Sequence, residues 1–266
     1  MVGEPVGSHS TMSYSQGIAR YCDLFGDPAG TPDEAAGFVE RLAGAPCSVL
    51  DIGAGVGSTA FALAAQGLRV TALEPDEEMF SVLLARLALR EDLEATLTPV
   101  PRAAGFALGQ RFNLCLCLSV LHLVPDRGER LRLLGYAMEH LLPGGRLLLF
   151  VPVASPLRVE RPIALTAERR FGDVVFRHYS AQTPLPDGAW CTLWKFSAAR
   201  GDEELDSASQ SFTWQAFAAA EVHDLLVNAG FAVERLHGGF DGCAFEEGSS
   251  RVLLAVARKP VSSTPD

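Results

Sequence analysis

The stretch VLDIGAGVGSTA, at residues 49–60, is the feature that most limits the folds open to this chain. A short apolar run without polar alternation comes first and predicts a parallel-sheet strand that is buried on both faces. Three glycines at alternate positions follow, and the next segment predicts a helix that ends at Gly67. Glycines allow positive φ angles and close approach of a ligand, and a helix N-terminus aims N–H groups at the loop. The stretch therefore predicts a ligand site in an α/β fold.

The same strand–helix alternation continues along the chain. Apolar strand-like runs alternate with helical stretches as far as residue 153, and a helix and two more strands follow residue 214. This alternation predicts a doubly wound sheet with right-handed crossovers. After the first strand, the predicted strands cover residues 68–74, 93–100, 111–123, 146–153, 231–239 and 249–259.

The pattern changes between residues 155 and 214. Three strand-like runs, at residues 171–182, 188–198 and 205–214, are separated by turn signals and by no helix, so they predict an antiparallel cap. Before them, Glu168-Arg169-Arg170 predicts a solvated turn. The chain is therefore divided into a disordered N-terminus (1–12), a single domain (13–258) that includes a helical lid (13–45) and the inserted cap (155–214), and a flexible tail (259–266).

Charge and composition narrow the functions. The chain has 22 Lys and Arg against 32 Asp and Glu, a net charge of -10, which argues against nucleic acid as a partner. No apolar run reaches the ~18 residues of a membrane span, and the N-terminus has no secretion signal, so we expect a cytoplasmic protein. The six cysteines form no CxxC pair and show no zinc-site spacing, so no metal site is predicted.

The spacing of the loop indicates the kind of ligand. A dinucleotide fingerprint is G-x-G-x-x-G/A, whereas here the glycines are 53, 55 and 57, Ser58 takes the third fingerprint position, and Asp51 precedes the loop. A carboxylate beside the loop disfavours a pyrophosphate but suits a ligand with an ammonium group and a sulfonium. Glu74, at the tip of the second strand, can accept hydrogen bonds from both hydroxyls of a ribose. NAD enzymes use the same device, so Glu74 indicates an adenosine ligand without deciding which.

Four motifs carry a family resemblance. VLDIGAGVGSTAFALA, VTALEPDEEM, FNLCLCLSVLHLV and LLPGGRLLLF resemble, in order, the motifs of class I S-adenosylmethionine-dependent methyltransferases, in the branch that acts on small molecules such as natural products, amines and sugars. The resemblance covers residues 14 to 258 and implies an α/β, Rossmann-like sheet of seven strands. The implied strand order is 3-2-1-4-5-7-6, with strand 7 antiparallel and the β cap inserted after strand 5.

The resemblance also implies the cofactor contacts. Asp51 and the glycine loop would hold the methionine part of S-adenosylmethionine, and Glu74 would hold its ribose. Many relatives have an Asp after the third strand that binds adenine, but this chain has TPVPRAAGF there, so apolar packing and backbone groups would hold the adenine. The full implied set is Asp51, Gly53, Ala54, Gly55, Gly57, Glu74, Pro75, Asp76, Met79, Ala103, Ala104, Ser119 and Tyr21.

Candidate residues for chemistry lie near the strand ends and in the lid and cap. His122 follows the fourth strand at the point where strand order reverses, and its ordinary pKa of about 6.5 would suit a general base or substrate orienter. The alternative is a structural histidine bonded to a backbone carbonyl. The resemblance makes Tyr14 of the lid a catalytic or substrate contact. In the cap, His178, Tyr179, Trp190 and Trp194 are predicted to bind substrate. Ordinary packing is the alternative for the lid and cap residues.

These features lead to one functional prediction and three alternatives. We expect a methyltransferase that moves a methyl group from S-adenosylmethionine to an N or O atom of a small molecule, in bacterial secondary metabolism. The reaction would be an in-line displacement, with His122 as the candidate base, in a monomer or homodimer. The alternatives are an NAD(P)-dependent oxidoreductase, a non-catalytic cofactor-binding subunit, and a non-methylating use of the same cofactor such as cyclisation.

Overall fold

A computed structural model describes residues 17–26, 32–43 and 47–261 of the chain. Tyr14 and the N-terminal residues 1–12, for which disorder is predicted, lie outside the described residues, as does the end of the predicted tail after residue 261. None of the described helices is long and apolar enough to cross a bilayer.

A seven-stranded sheet forms the centre of the fold, in the order β10-β11-β5-β4-β1-β2-β3. Strands β1 to β5 pair in parallel, whereas β11 is antiparallel to both β5 and β10. The implied strand order and the antiparallel strand are therefore confirmed. The strands are β1 (Ser48–Ile52), β2 (Arg69–Leu73), β3 (Leu97–Val100), β4 (Phe112–Leu118), β5 (Leu141–Pro152), β10 (Ala232–His237) and β11 (Val252–Arg258).

Helices cover both faces of this sheet, which explains the continuous apolar runs in its strands. In β4, Leu114 and Leu116 face one core cluster with α2, α3 and α4, while Cys115 and Cys117 face the other with α5 and α6. Both cysteines are thus buried apolar groups of the core, as their surroundings in the sequence indicate. The helices are α1 (Ile18–Phe25), α2 (Pro32–Ala43), α3 (Ser58–Ala65), α4 (Glu77–Leu87), α5 (Arg127–His140) and α6 (Ala219–Asn228).

The cap is a separate antiparallel sheet with four strands instead of the three predicted. The additional strand, β6, includes Glu168-Arg169-Arg170, which pair with Arg177, Phe176 and Val175, so the predicted turn at these residues is wrong. β6 is an edge strand whose side chains are almost all exposed, so its backbone pairing leaves no apolar pattern in the sequence. The cap strands are β6 (Arg161–Phe171), β7 (Val174–Pro184), β8 (Trp190–Arg200) and β9 (Glu203–Trp214).

The predicted flexible tail begins too early. Lys259, its first residue, donates from Nζ to the carbonyl oxygens of Met138 (2.7 Å) and Leu141 (2.8 Å) at the end of α5. Its backbone N–H also donates to the carbonyl of Gly145. These carbonyls would otherwise lack helical partners, because the last turn of a helix leaves its C=O groups unpaired. Lys259 therefore belongs to the folded body.

Candidate functional site

The glycine loop between β1 and α3 uses its N–H groups within the protein. Gly53 and Ala54 both donate to the carbonyl of Leu73, at 2.9 Å each, and Gly57 donates to the carbonyl of Ala54. Gly55 donates to Oε2 of Glu74 at 2.7 Å. A pyrophosphate-binding loop needs such donors for its ligand. The loop therefore disfavours the dinucleotide alternative.

The three glycines of the loop have different tasks, although all have positive φ angles. A Cβ on Gly53 would lie 2.5 Å from Cγ2 of Val120, so this glycine lets the loop touch the segment after β4. A Cβ on Gly57 would lie 3.0 Å from Leu83, so Gly57 allows α3 and α4 to pack closely. Gly57 thus has a packing role, and its predicted contact with the cofactor stays a prediction. A Cβ on Gly55 would meet nothing within 4 Å, which leaves open space above the loop.

Two buried carboxylates flank this space. Asp51 is 3% exposed, and its Oδ2 has no hydrogen-bond partner among the described residues. Burial, and then repulsion from Glu74, raise the pKa of Asp51 to about 7. Glu74 accepts hydrogen bonds from the backbone of Gly55 and of Asp76, and burial raises its pKa to about 6. A buried carboxylate oxygen without a donor is costly, so this pair suits a ligand that carries a cation and hydroxyl groups.

Asp76 and Met79 both belong to the start of α4. The Asp76 side chain caps the helix, with Oδ1 accepting from the backbone N–H groups of Glu78 (3.1 Å) and Met79 (3.0 Å). The Asp76 carboxylate is thus a helix cap, and the predicted place of Asp76 beside the adenosine stays a prediction. Met79 is 3% exposed and lies in an apolar cluster with Val56 of the glycine loop, while Pro75 is exposed at the tip of β2.

Two segments beyond β3 and β4 complete this edge of the sheet. After β3, Ala103 and Ala104 are half-buried, and Ala104 packs with Phe106 against the core, so the segment presents an apolar surface where relatives have an acid. After β4, Ser119 has a φ of 59°, in the left-handed region that costs a non-glycine residue about 1–3 kcal/mol. Such strain at a strand end is typical of residues held for a functional purpose.

His122 lies in a short 3₁₀ turn just beyond β4. Its ring stands edge-on to the indole of Trp214, with centroids 6.0 Å apart, and its Nδ1 is buried without a partner among the described residues. Burial, and then the positive charge of Arg158, lower its pKa to about 3. The expectation of a pKa near neutrality is therefore wrong for the ligand-free protein. The imidazole is neutral at physiological pH and presents an unpaired nitrogen.

One face of the cap carries most of the predicted substrate residues. His178, Trp190 and Trp194 lie on the face that packs on α1, which we call the inner face. The His178 ring stacks on Phe196 at 4.5 Å and stands edge-on to Trp194 at 6.0 Å. Tyr179 pairs with Lys195 on the opposite face, as the two-residue period of a strand predicts, and its contact with the substrate stays a prediction.

His178 also has an unpaired nitrogen. The Thr166 hydroxyl donates to the His178 carbonyl at 2.9 Å, so Nδ1 of His178, 3.0 Å from the same hydroxyl, is the donor to it. Nε2 is then the acceptor nitrogen, and it is buried with no partner among the described residues. Burial also lowers the pKa of His178. The inner face thus holds a neutral acceptor within an aromatic surface.

Comparison with known proteins identifies the domain. Residues 50–147 match the family model for a methyltransferase domain. The matched residues include Asp51, the glycine loop, Glu74 and His122 of the candidate site. No curated protein sequence matches the chain.

Solved structures agree with this domain over nearly the whole chain. The methyltransferase CcbJ from Streptomyces caelestis is 25% identical, with a TM-score of 0.76, and the match covers 91% of this chain and 96% of CcbJ. The amino pentose methyltransferase CalS10 from Micromonospora echinaspora, solved with S-adenosylmethionine, is 19% identical (TM-score 0.67; 95% and 100% covered). The sugar N-methyltransferase KedS8 from a Streptoalloteichus species is 20% identical (TM-score 0.71; 97% and 100% covered). The predicted Rossmann-like fold is therefore confirmed.

CalS10 was solved with S-adenosylmethionine, and the residues at the loop of this chain fit the chemistry of that molecule. Oδ2 of Asp51 has no hydrogen-bond donor among the described residues, and the ammonium group of S-adenosylmethionine can supply one. Glu74 keeps lone pairs for ribose hydroxyls beside its two backbone donors. The open side of Gly55 leaves room for the ligand above the loop. A sulfonium brings positive charge to a site that is otherwise anionic.

Two residues near the candidate site, Trp214 and Arg158, were not among the site residues predicted from the sequence. Trp214 is 4% exposed, stacks on Trp190 at 6.0 Å and donates from Nε1 to the Thr192 hydroxyl at 2.8 Å. The guanidinium of Arg158 lies 4.8 Å from the centre of the Trp214 ring. Trp214 pairs with Trp190 across β8 and β9. The alternation of residues along these two strands is the signal in the sequence that could have identified Trp214. Nothing local in the sequence places Arg158 beside it.

The lid helix α1 is tied to the cap. The Tyr21 hydroxyl donates to Oδ2 of Asp206 at 2.7 Å, and Arg20 donates to the same oxygen at 2.6 Å. The Tyr21 ring stacks on Phe196 with centroids 5.0 Å apart. Burial, and then the hydrogen bond to Asp206, raise the pKa of Tyr21. The hydroxyl of Tyr21 therefore holds the lid on the inner face of the cap, and the predicted contact of Tyr21 with the cofactor stays a prediction.

Proposed function

We propose that this methyltransferase transfers a methyl group to an N or O atom of a small molecule in bacterial secondary metabolism. CalS10 and KedS8, which share its fold, are an amino pentose methyltransferase and a sugar N-methyltransferase. Their sources and that of CcbJ support a bacterial pathway. The net charge of -10 supports an acceptor other than a nucleic acid.

The observation that carries the proposal is the unpaired imidazole of His122, two residues after Val120, which touches the glycine loop. The segment that contains His122 touches the loop through Val120, which leaves no room for a Cβ on Gly53. His122 is neutral, so its free nitrogen can accept a hydrogen bond from an amine or hydroxyl of the acceptor. His178 provides a second neutral nitrogen on the inner face of the cap, next to Trp194.

The chemistry asks mainly for alignment. The cofactor supplies a methyl group that its sulfonium has already activated, so proximity and in-line geometry account for most of the rate enhancement. The acceptor lone pair forms the new bond to the methyl carbon, and the electrons of the broken C–S bond stay on sulfur. His122 orients the acceptor and takes its proton as positive charge develops on the attacking atom. A base of low pKa is sufficient at that point because the acidity of the acceptor rises as the bond forms.

The remaining site residues have proposed roles in binding. Asp51 would bind the ammonium group and Glu74 the ribose hydroxyls, with Gly53, Ala54 and Gly55 beneath the methionine part. Pro75, Met79, Ala103, Ala104 and Ser119 would surround the adenosine. Trp190, Trp194 and His178 would contact the acceptor. Tyr14, proposed as a catalytic and substrate contact, lies outside the described residues.

A comparison of His122→Ala with His223→Ala tests the proposal. His223 is exposed on α6 and serves as the matched control. We expect formation of S-adenosylhomocysteine with acceptors from a library of small amines and alcohols. His122→Ala should lower kcat by about 10²–10⁴-fold and leave the Kd for S-adenosylhomocysteine within about twofold. Unchanged turnover in His122→Ala would remove the role of His122. Tight cofactor binding without turnover of any acceptor would favour a non-catalytic binding subunit.

A further inference from the structure

Three arginines gather at the carboxyl end of β5, outside the residues assigned so far to the acceptor. Arg158 follows β5, Arg161 begins β6, and Arg251 lies just before β11, whose first residue pairs with the last residue of β5. Within the described part of the chain, none of the three has a carboxylate within ion-pair distance. Burial, and then the charges of Arg161 and Arg251, lower the pKa of Arg158. This cationic group is unusual in a chain of net charge -10.

Arg158 is held in a fixed position. Its Nη2 donates to the backbone carbonyl of Arg251 at 2.9 Å, and its guanidinium lies over the ring of Trp214. The side chain is half-buried, so it has lost part of its hydration without gaining a counter-charge. Buried charges are normally paired, because desolvation is otherwise uncompensated. A guanidinium has five N–H donors in a planar fork that matches an oxyanion, and few of them are used here.

The position of Arg158 connects it to the acceptor site. Trp214 contacts both residues. The Arg158 guanidinium lies 4.8 Å from the centre of the Trp214 ring, and the centre of the His122 ring lies 6.0 Å from it. Trp214 also stacks on Trp190 of the inner face. The charge of Arg158 acts on His122 strongly enough to lower the pKa of the imidazole. Both groups therefore lie against the same tryptophan, and the charge of one acts on the other.

We infer that Arg158, together with Arg161 and Arg251, binds an anionic group of the acceptor molecule and so brings its N or O atom to His122. This inference rests on the proposed function. The anion is a phosphate or a carboxylate, since both match the guanidinium fork. The negative charge of the anion would supply the counter-charge that Arg158 lacks. It would also offset the repulsion between Arg158 and a protonated His122 imidazole. Binding of the anion and acceptance of the proton would then support each other.

The first experiment measures anion binding without any methyl transfer. Inorganic phosphate and acetate are titrated separately into the protein loaded with S-adenosylhomocysteine, at constant ionic strength, with tryptophan fluorescence as the signal. Wild type should show saturable binding of at least one probe, and the tighter probe distinguishes phosphate from carboxylate. Arg158→Gln should weaken this binding by about tenfold, a typical effect of losing one charged partner. Arg235→Gln, an exposed arginine on β10, should leave it unchanged.

Two further variants keep the inference testable if Arg158→Gln does not fold. Arg158→Lys preserves the charge and the aliphatic stem but not the fork, and the double variant Arg161→Gln/Arg251→Gln leaves Arg158 in place. Each should weaken anion binding by a few-fold. The inference is overturned if sodium chloride alone reproduces the fluorescence change. Equal binding by Arg158→Gln and Arg235→Gln would overturn it as well.

Acceptor kinetics separate this inference from the proposed function. For an acceptor with a carboxylate or phosphate, Arg158→Gln should raise KM by about tenfold with little loss of kcat. For the neutral ester of the same acceptor, KM should not change. If wild type methylates neutral acceptors as well as anionic ones, the inference fails and the methyltransferase proposal stands. If no S-adenosylhomocysteine binds at all, the methyltransferase proposal itself fails.

Discussion

The replacement of Asp51 by asparagine tests the buried carboxylate pair directly. The folded protein raises the pKa of Asp51 from 3.8 to about 7, mainly by burial. Between these values the folded state keeps a proton that the unfolded state has lost, so wild-type stability falls as pH rises. One pKa unit corresponds to about 1.4 kcal/mol. Raising the pH from about 5 to about 7 should therefore lower the free energy of unfolding of the wild type by up to about 3 kcal/mol. The asparagine side chain cannot ionise, and this loss should be absent in the variant.

The measurement is urea unfolding of both proteins, without cofactor, across that interval. The free energy of unfolding of Asp51→Asn relative to wild type should rise by up to about 3 kcal/mol from about pH 5 to about pH 7. Glu74 titrates in both proteins, so the difference isolates Asp51. Asp202→Asn, at an exposed residue in the turn between β8 and β9, is the matched control for the change of a carboxyl to an amide. Parallel curves for wild type and the Asp51 variant would refute the reasoning, whatever their absolute separation.

Two other predictions concern the loop and the lid. Gly53→Ala should destabilise the protein by roughly 3 kcal/mol in urea unfolding, because the new Cβ would lie 2.5 Å from Val120 and residue 53 has a φ of 73°. A second change, Val120→Ala, should restore part of this loss. The new Cβ of Gly55→Ala meets open space, so this variant should lose only about 1–2 kcal/mol of stability. Calorimetric titration should nevertheless show weaker binding of S-adenosylhomocysteine. Equal stability losses in the two glycine variants would contradict this difference. Tyr21→Phe removes the hydrogen bond to Asp206 and should cost about 1 kcal/mol in a thermal melt, and an unchanged Tm would show that this bond does not stabilise the lid.

The central sheet and the cofactor loop could be predicted because their signals are local. Strands buried on both faces must be apolar throughout, as β4 is, and a turn with successive positive φ angles requires glycines, as at Gly53 and Gly55. Asp51 and Glu74 follow from their places at strand ends. The edge strand β6 could not be found in this way, because backbone pairing holds it and its exposed side chains carry no pattern.

The sequence by itself determined the strand order through its motifs, the class of cofactor through the loop, and the position of His122 at the reversal of strand order. Only the tertiary structure decided what each group does there. It packed Gly57 against Leu83, tied the Tyr21 hydroxyl to Asp206, and lowered the pKa of His122 through burial and Arg158. The physical reason is that hydrogen-bond partners, burial and charge at a site come from distant segments. Arg158 and His122 affect each other only because the fold brings both to Trp214.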